Sequence, residues 1–267
     1  MINSGYIKNR FENPKIIKNI KRKIEIELSK ILKRKTNLEN YHQLNLNNDK
    51  HKKIQWRIAT FFWKKKFHVE LMRTIIPFLE SKLGPDILVQ RKPFLRIARP
   101  NEDIDNIGFH KDTIYGQSPY EMSIHIPLVD LDKRSCLKFV KGSQFLKEKN
   151  IKFEKFISQV KKGSKSHKLG TPYDPKRISE KKYNFSAIPL KLGEYIFFTP
   201  ALIHGQELNK NPNVTRFSID VRVTSSFAPI DQSKKSFNGN YISLQESEIL
   251  KLAKKYFQFN PEKINSF

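Results

Sequence analysis

The chain has 267 residues, enough for one large domain, and its 38% hydrophobic and 12% aromatic content against 29% charged residues excludes a disordered chain. The formal net charge of +25, from 51 Lys+Arg against 26 Asp+Glu, favours an anionic small substrate over a cationic one; lysines scattered along the whole chain, without a nucleic-acid motif, speak against nucleic acid as partner. A single cysteine, Cys136, excludes an intramolecular disulfide and a cysteine-rich zinc site, and the lack of an apolar run of signal-peptide or membrane-span length points to a soluble, cytoplasmic protein with no membrane partner.

In chain order, Asn13 to Lys35 reads as a helix. Asn13 can cap it, Pro14 suits the first helical position, and Ile16, Ile17, Ile20, Ile24, Leu28, Ile31 and Leu32 recur at steps of three and four. A polar stretch separates it from a second helical region near 52–82, which Gly84-Pro85 ends. Residues 1–84 are therefore expected to form an N-terminal helical region packed on the outside of the core and able to supply a homodimer contact. After Pro85 the runs "ILVQRKPFLRIAR", "EMSIHIPLVDL", "CLKFVKGSQF", "EYIFFTP" and "RFSIDVRVTS" read as short strands of a sandwich or barrel rather than βαβ units. The expected class is mainly β with flanking helices (α+β). Its core spans 85–230, with a basic insertion near 146–186 of the kind used as a lid or binding loop. A C-terminal extension, 231–267, carries a short helix in "SLQESEILKLAKKYFQF", with Ser243 as cap and Glu246 three residues on.

Chemistry enters at "GFHKDTIYG", where His110 and Asp112 stand one residue apart. On a strand, residues i and i+2 share a face, a placement that suits two ligands of one metal but equally two polar residues near a turn. A distant histidine would complete a two-His-one-carboxylate set with open coordination positions. Of the remaining histidines, His42, His51 and His68 lie in the helical part and read as surface or packing residues, and His167 lies in the insertion. His204 stands out, because it follows a strand in "LKLGEYIFFTPALIHG" and Arg216 opens another alternating strand twelve residues later.

With His110-Lys111-Asp112, His204 and Arg216-Phe217-Ser218 in this order, the region from Leu88 to Ser225 resembles the Fe(II)/2-oxoglutarate-dependent oxygenases, and within them the phytanoyl-CoA dioxygenase-like branch. "CLKFVKGSQF" looks like the branch's Leu-x-x-x-Pro-Gly-Ser-His segment, with Lys141 and Gln144 in place of the proline and histidine. His125 stands where the branch often has tryptophan. The resemblance implies a double-stranded β-helix (jelly roll, cupin-like), with His110, Asp112 and His204 as the catalytic metal ligands for Fe(II), 2-oxoglutarate and dioxygen. It places Arg216 and Ser218 on the remote carboxylate of 2-oxoglutarate, a role for which a guanidinium fork is suited. Arg96 is a further cosubstrate contact or else a solvated arginine, and Tyr115, Gln117, Tyr120 and His125 are candidate substrate contacts. The implied reaction is hydroxylation of a small metabolite, sugar-, nucleotide- or carrier-linked, with decarboxylation of 2-oxoglutarate to succinate; the intact Asp112 argues against halogenation. Lys161, Lys162, Lys165, Lys168, Lys176 and Arg177 of the insertion either close over a phosphate-bearing substrate or remain solvated. Two other readings stay open: a non-catalytic binding protein on the same fold, and a nucleic-acid-directed oxygenase with a basic groove leading to the metal.

Overall fold

The computed structural model describes residues 1, 3–154, 160–168, 176–206, 208–229 and 240–257. Parts of the basic insertion (155–159 and 169–175) and of the C-terminal extension (231–239 and 258–267) therefore lie outside the described residues. The chain opens with a strand, β1 (Tyr6–Arg10), which its mixed sequence does not announce. Helix α1 (Lys15–Leu32) follows and buries Ile17, Ile20, Ile24 and Leu28; it starts one residue later than expected, with Pro14 and not Asn13 at the cap position, while Asn13 Oδ1 accepts from Lys15 N at 3.0 Å in the turn before it.

The second helical region is three helices rather than one. α2 (Asn48–Lys64) begins earlier than its apolar pattern suggests, because Asn47 caps it by accepting from Lys50 N. Lys66, left-handed at φ 53°, separates it from α3 (Phe67–Arg73), and Pro77 falls in the first turn of α4 (Ile76–Leu83), where it cannot continue the preceding helix. Strands β2 (Ile87–Gln90), β3 (Phe94–Ala98), β4 (Met122–Pro127) and β5 (Lys138–Phe139) come next. The one-turn helix α5 (Lys165–Lys168) lies in the insertion, followed by β6 (Ser186–Ala187), β7 (Glu194–Phe198), β8 (His204–Gly205), β9 (Arg216–Ser225), β10 (Tyr241–Gln245) and α6 (Glu248–Phe257). Ser243, expected to cap the last helix, instead pairs within β10. The cap is Ser247, whose Oγ accepts from Leu250 N at 3.2 Å while its own N–H and hydroxyl are held by Asp86.

The strands form two antiparallel sheets. The larger, of seven strands, runs β1-β7-β4-β9-β2-β10, with β3 paired to the first half of β9; the smaller runs β6-β5-β8. This is the double-stranded β-helix with flanking helices. β9 lies at its centre, its odd-numbered residues Phe217, Ile219, Val221 and Val223 all fully buried in the main core. The helices are stitched to this sheet by specific contacts: Gln55 Nε2 donates to Leu95 O and Trp63 Nε1 to Pro93 O, both at 2.8 Å, and the Tyr41 ring meets Phe217 edge-on. Among the described residues, no helix is long and apolar enough to cross a membrane.

One core residue is poorly matched to its place. His68 is buried against Phe62, neither ring nitrogen has a hydrogen-bond partner, and burial pushes its pKa down from the usual 6.5 to about 4. The unfolded chain therefore takes up a proton at this residue before the folded one, so stability falls as pH drops from 6.5 towards 4 and this loss levels off below that. His68→Leu is expected to raise stability at pH 5 and to remove up to roughly 3 kcal/mol of the acid-side slope, by urea unfolding at a series of pH values. An unchanged slope would show that His68 does not set it.

Candidate metal centre

His110 and His204 meet through one antiparallel bridge: His110 N donates to His204 O at 2.8 Å and His204 N to His110 O at 2.9 Å. His110 is thus not in a regular strand, and after Lys111 the chain turns into a 3-10 helix over Asp112–Tyr115. The turn, rather than strand alternation, brings the Asp112 carboxylate back towards the histidines. The approach of the two segments depends on Gly205, where a Cβ would lie 2.4 Å from Gly108 O and 2.7 Å from Phe109 Cα, both backbone atoms. Ser143 fixes the other side by accepting from Ile203 N at 2.7 Å, and Val140 N donates to Ile203 O.

Each histidine is oriented by its outer nitrogen. His110 Nδ1 meets Gly108 O and His204 Nδ1 meets Leu202 O, both at 2.9 Å. A carbonyl can only accept, so each Nδ1 carries the proton and each Nε2 presents a lone pair. These Nε2 atoms lie 3.4 Å and 3.9 Å from Asp112 Oδ1, and the three ligand atoms fall within 4.8 Å of one another. The second carboxylate oxygen is committed elsewhere, accepting from Ser123 Oγ and Arg222 Nη2, each at 3.1 Å. Burial alone would raise the Asp112 pKa, but the Arg222 guanidinium holds it well below the usual value. Burial, then the neighbouring His110, pushes His204 down to about 4. Two neutral imidazoles and one carboxylate, all buried, are a donor set suited to a divalent transition metal.

A cleft opens beside these groups, walled by Phe94, Arg96, Phe198, Asp220 and Arg222 among others. Arg96 donates from Nε to Asp220 Oδ2 at 3.1 Å, so it faces the cleft as one half of an ion pair. Further along the same face of β9 lie Ser218 and Arg216, and Ser218 is directly opposite Arg96 in the ladder. Arg216 is fully buried; Nη1 donates to Ser135 O and Nη2 to Asn106 Oδ1, but Nε has no partner. Ser218 Oγ and His125 Nε2 likewise have none, although His125 Nδ1 is held by Asp220 Oδ1 at 2.7 Å. Burial pushes Arg216 down to about 9, against the pull of Asp220 and Asp105. Three unsatisfied donor or acceptor atoms on one buried face fit a ligand with a carboxylate end.

The other expected contacts divide. The Tyr115 ring lies 5.5 Å from that of His110, and its hydroxyl accepts from Lys176 N. Gln117 is half-buried and Tyr120 is 54% exposed, and neither walls the cleft. Ser123, Asp220, Arg222, Asn106 and Gly205 were not anticipated. The alternation in "RFSIDVRV" carries a signal for two of them, since Asp220 and Arg222 share the face of Arg216 and Ser218.

A model of the phytanoyl-CoA dioxygenase (PhyH) family matches residues 12–218. Among solved structures, the apo form of the non-heme monooxygenase ThoJ is similar with a TM-score of 0.55 at 14% identity, over 92% of this chain and 82% of that one. Its nickel complex gives 0.54 at 12% identity, over 93% and 83%. EctD from S. alaskensis, solved with 2-oxoglutarate and 5-hydroxyectoine, gives 0.49 at 11% identity, over 86% and 75%. No curated protein matches the sequence. At these identities the structural likeness is one of fold.

Gly205→Ala is expected to push the two bridging segments apart and to weaken Ni(II) binding by at least about tenfold in calorimetric titration. Undiminished affinity would mean that the bridge yields without moving the Nε2 atoms.

Proposed function

The chain belongs to the phytanoyl-CoA dioxygenase family of Fe(II)- and 2-oxoglutarate-dependent oxygenases, and from that premise we propose that it hydroxylates a small, anionic metabolite. In this reading His110, Asp112 and His204 hold the metal, and Arg216 with Ser218 holds the remote carboxylate of 2-oxoglutarate. The observation that carries it is how buried polar atoms are divided along one sheet face. Near the triad every outer atom of the ligands has a partner and only Oδ1 and the two Nε2 atoms converge, whereas further along β9 Arg216 Nε and Ser218 Oγ are left open. When bound, iron with 2-oxoglutarate and dioxygen supplies a two-electron oxidation of a substrate C–H bond, coupled to decarboxylation of 2-oxoglutarate to succinate.

The protein's own contribution is orientation and exclusion of water. The Nδ1–H bonds to Gly108 O and Leu202 O keep both imidazoles in one tautomer, and Phe139 and Phe198 shield the His204 ring. Asn106 and the Ser135 carbonyl fix the Arg216 fork from behind. A substrate entering the cleft meets the aromatic face of Phe94 and the Arg96–Asp220 pair.

The anionic character of the substrate is supported by how the insertion is placed. Lys111 Nζ donates to Leu146 O, Ile178 N donates to Phe109 O, and the Arg177 side chain packs over Gly108. Both described ends of the basic insertion are thus pinned to the segment that carries His110 and Asp112. Lys161, Lys162, Lys165, Lys168 and Lys176 are exposed beyond those anchors, a position from which they meet an incoming phosphate or carboxylate.

Anaerobic addition of Fe(II) and then 2-oxoglutarate to the metal-free protein is expected to produce the weak visible charge-transfer band of keto-acid chelation, and to lose it in His204→Ala. Arg216→Ala should raise the KM for 2-oxoglutarate by about 10- to 100-fold, because a charged hydrogen-bonded pair is lost, while Ni(II) affinity is unchanged. Absence of the band from well-folded wild-type protein would sink the cofactor assignment. An unchanged KM would remove Arg216 from it.

A further inference from the structure

We propose that Arg222, backed by Glu121, is a positioning residue that confines Asp112 to ligation through a single oxygen, an inference that rests on the reading of His110, Asp112 and His204 as a metal site. Arg222 lies directly opposite Ser123 in the β4–β9 ladder. Both side chains therefore leave the same face of the sheet, and both reach the same atom: Ser123 Oγ and Arg222 Nη2 each lie 3.1 Å from Asp112 Oδ2. That oxygen is fully engaged by two donors, one of them cationic, while Oδ1 turns towards the two Nε2 atoms. The distinction bears on turnover. Held by three donor atoms of the protein, a metal would retain positions for 2-oxoglutarate and dioxygen, one of which a carboxylate supplying both oxygens would occupy.

Arg222 is itself held in place. Its backbone N–H donates to Gln90 Oε1, its guanidinium lies 5.0 Å from the centre of the Phe94 ring, and Nε lies 3.6 Å from Glu121 Oε2. Glu121 is fully buried one residue before β4, with Tyr241 of β10 against its carboxylate. The side chains of Glu121, Arg222 and Asp112 therefore follow one another inward from the sheet, and all three are buried. Arg222 is the one cation of this row, and its loss would leave the Asp112 carboxylate without a charged partner in a dry site. Tyr241 and Gln90 extend the same support to β10 and β2, so the position of one carboxylate oxygen is set from four strands.

The test uses the full-length protein with Ni(II) and Co(II) as probes, so that it does not depend on turnover. Arg222→Gln is expected to weaken Ni(II) binding by about 10- to 100-fold and to change the visible absorption of the Co(II) form as Asp112 becomes free to rotate and offer both oxygens. Arg222→Lys, which retains one cationic donor, should recover most of the wild-type spectrum. Glu121→Gln should shift both readouts in the direction of Arg222→Gln, by less. Wild-type Ni(II) affinity and an unaltered Co(II) spectrum in Arg222→Gln, even with a lower Tm of the metal-free protein, would reduce Arg222 to a structural ion pair and overturn the proposal. If Arg222→Gln does not fold, Ser123→Ala decides the matter by removing the other donor to the same oxygen: a changed Co(II) spectrum supports the confinement and an unchanged one overturns it. Failure of the wild-type protein to bind Ni(II) would instead discard the metal reading itself, a result distinct from either.

Discussion

Burying a row of charged and polar side chains on one face of a central strand is costly unless each meets a partner, and β9 carries four of them, three buried and Asp220 partly exposed. Its odd residues fill the main core and fix the register, so Arg216, Ser218, Asp220 and Arg222 have no choice but to face the interior between the two sheets. The rest of the architecture can be read as the set of answers to that constraint. Asp112 and Glu121 answer Arg222; His125 and Arg96 answer Asp220; Asn106 and the Ser135 carbonyl answer part of Arg216. Arg222 Nε keeps only the longer ion pair with Glu121, at 3.6 Å, and Arg216 Nε and Ser218 Oγ have no partner at all. On the proposed reading it is the cosubstrate that completes the row.

The N-terminal helices take part in the same solution. Tyr41, His51 and Arg99 surround the buried carboxylate of Asp105: the Tyr41 hydroxyl meets His51 Nδ1 at 3.0 Å, His51 Nε2 lies 3.2 Å from Asp105 Oδ1, and Arg99 Nε donates to Asp105 Oδ2 at 2.8 Å. Burial would raise the Asp105 pKa, but the hydrogen bonds from His51 and Arg99 outweigh it and keep the carboxyl well below its usual range. The next residue in the chain is Asn106, which grips Arg216. Just before β9, Thr215 N donates to Glu39 O and its hydroxyl accepts from His42 N. The end of β9 that carries Arg216 is thus braced by residues from the helical region, and this gives that region a role in the geometry of the site as well as in covering the sheet.

The parts of this arrangement that were legible in the sequence are those governed by short-range periodicity. The spacing of Ile17, Ile20, Ile24 and Leu28 gives α1, and the alternation of "RFSIDVRV" gives β9 together with its polar face. The His-x-Asp pair and the remote His204 were legible as residue types in order, although the reason the pair converges is a 3-10 turn and not the strand alternation that suggested it. What escaped was set by tertiary contact. β1 has no amphipathic pattern because it is an edge strand, paired only with β7. Ser243 carried the capping-box spacing, but β2 drew it into a strand and left Ser247 to cap α6. Gly205, Asn106 and Glu121 are silent in one dimension: each matters because of an atom contributed by a residue far away in the chain.

The net charge of +25 is not expressed at the centre of the cleft. Both arginines in its wall are already ion-paired, Arg96 with Asp220 and Arg222 with Asp112, and Arg99 behind them is paired with Asp105. Exposed positive charge lies instead on side chains such as Lys30, Lys33, Arg34 and Lys35 at the end of α1, and on Lys161, Lys165, Lys168 and Lys176 of the insertion. Charge placed in this way raises the local concentration of anions and accelerates their arrival, but it selects little among them. On the proposed reading, discrimination within the cleft falls to Phe94, Leu137 and Phe198 and to the space they leave. On that reading the two levels suit a substrate of divided character, with an anionic handle towards the basic insertion and a less polar portion towards the triad.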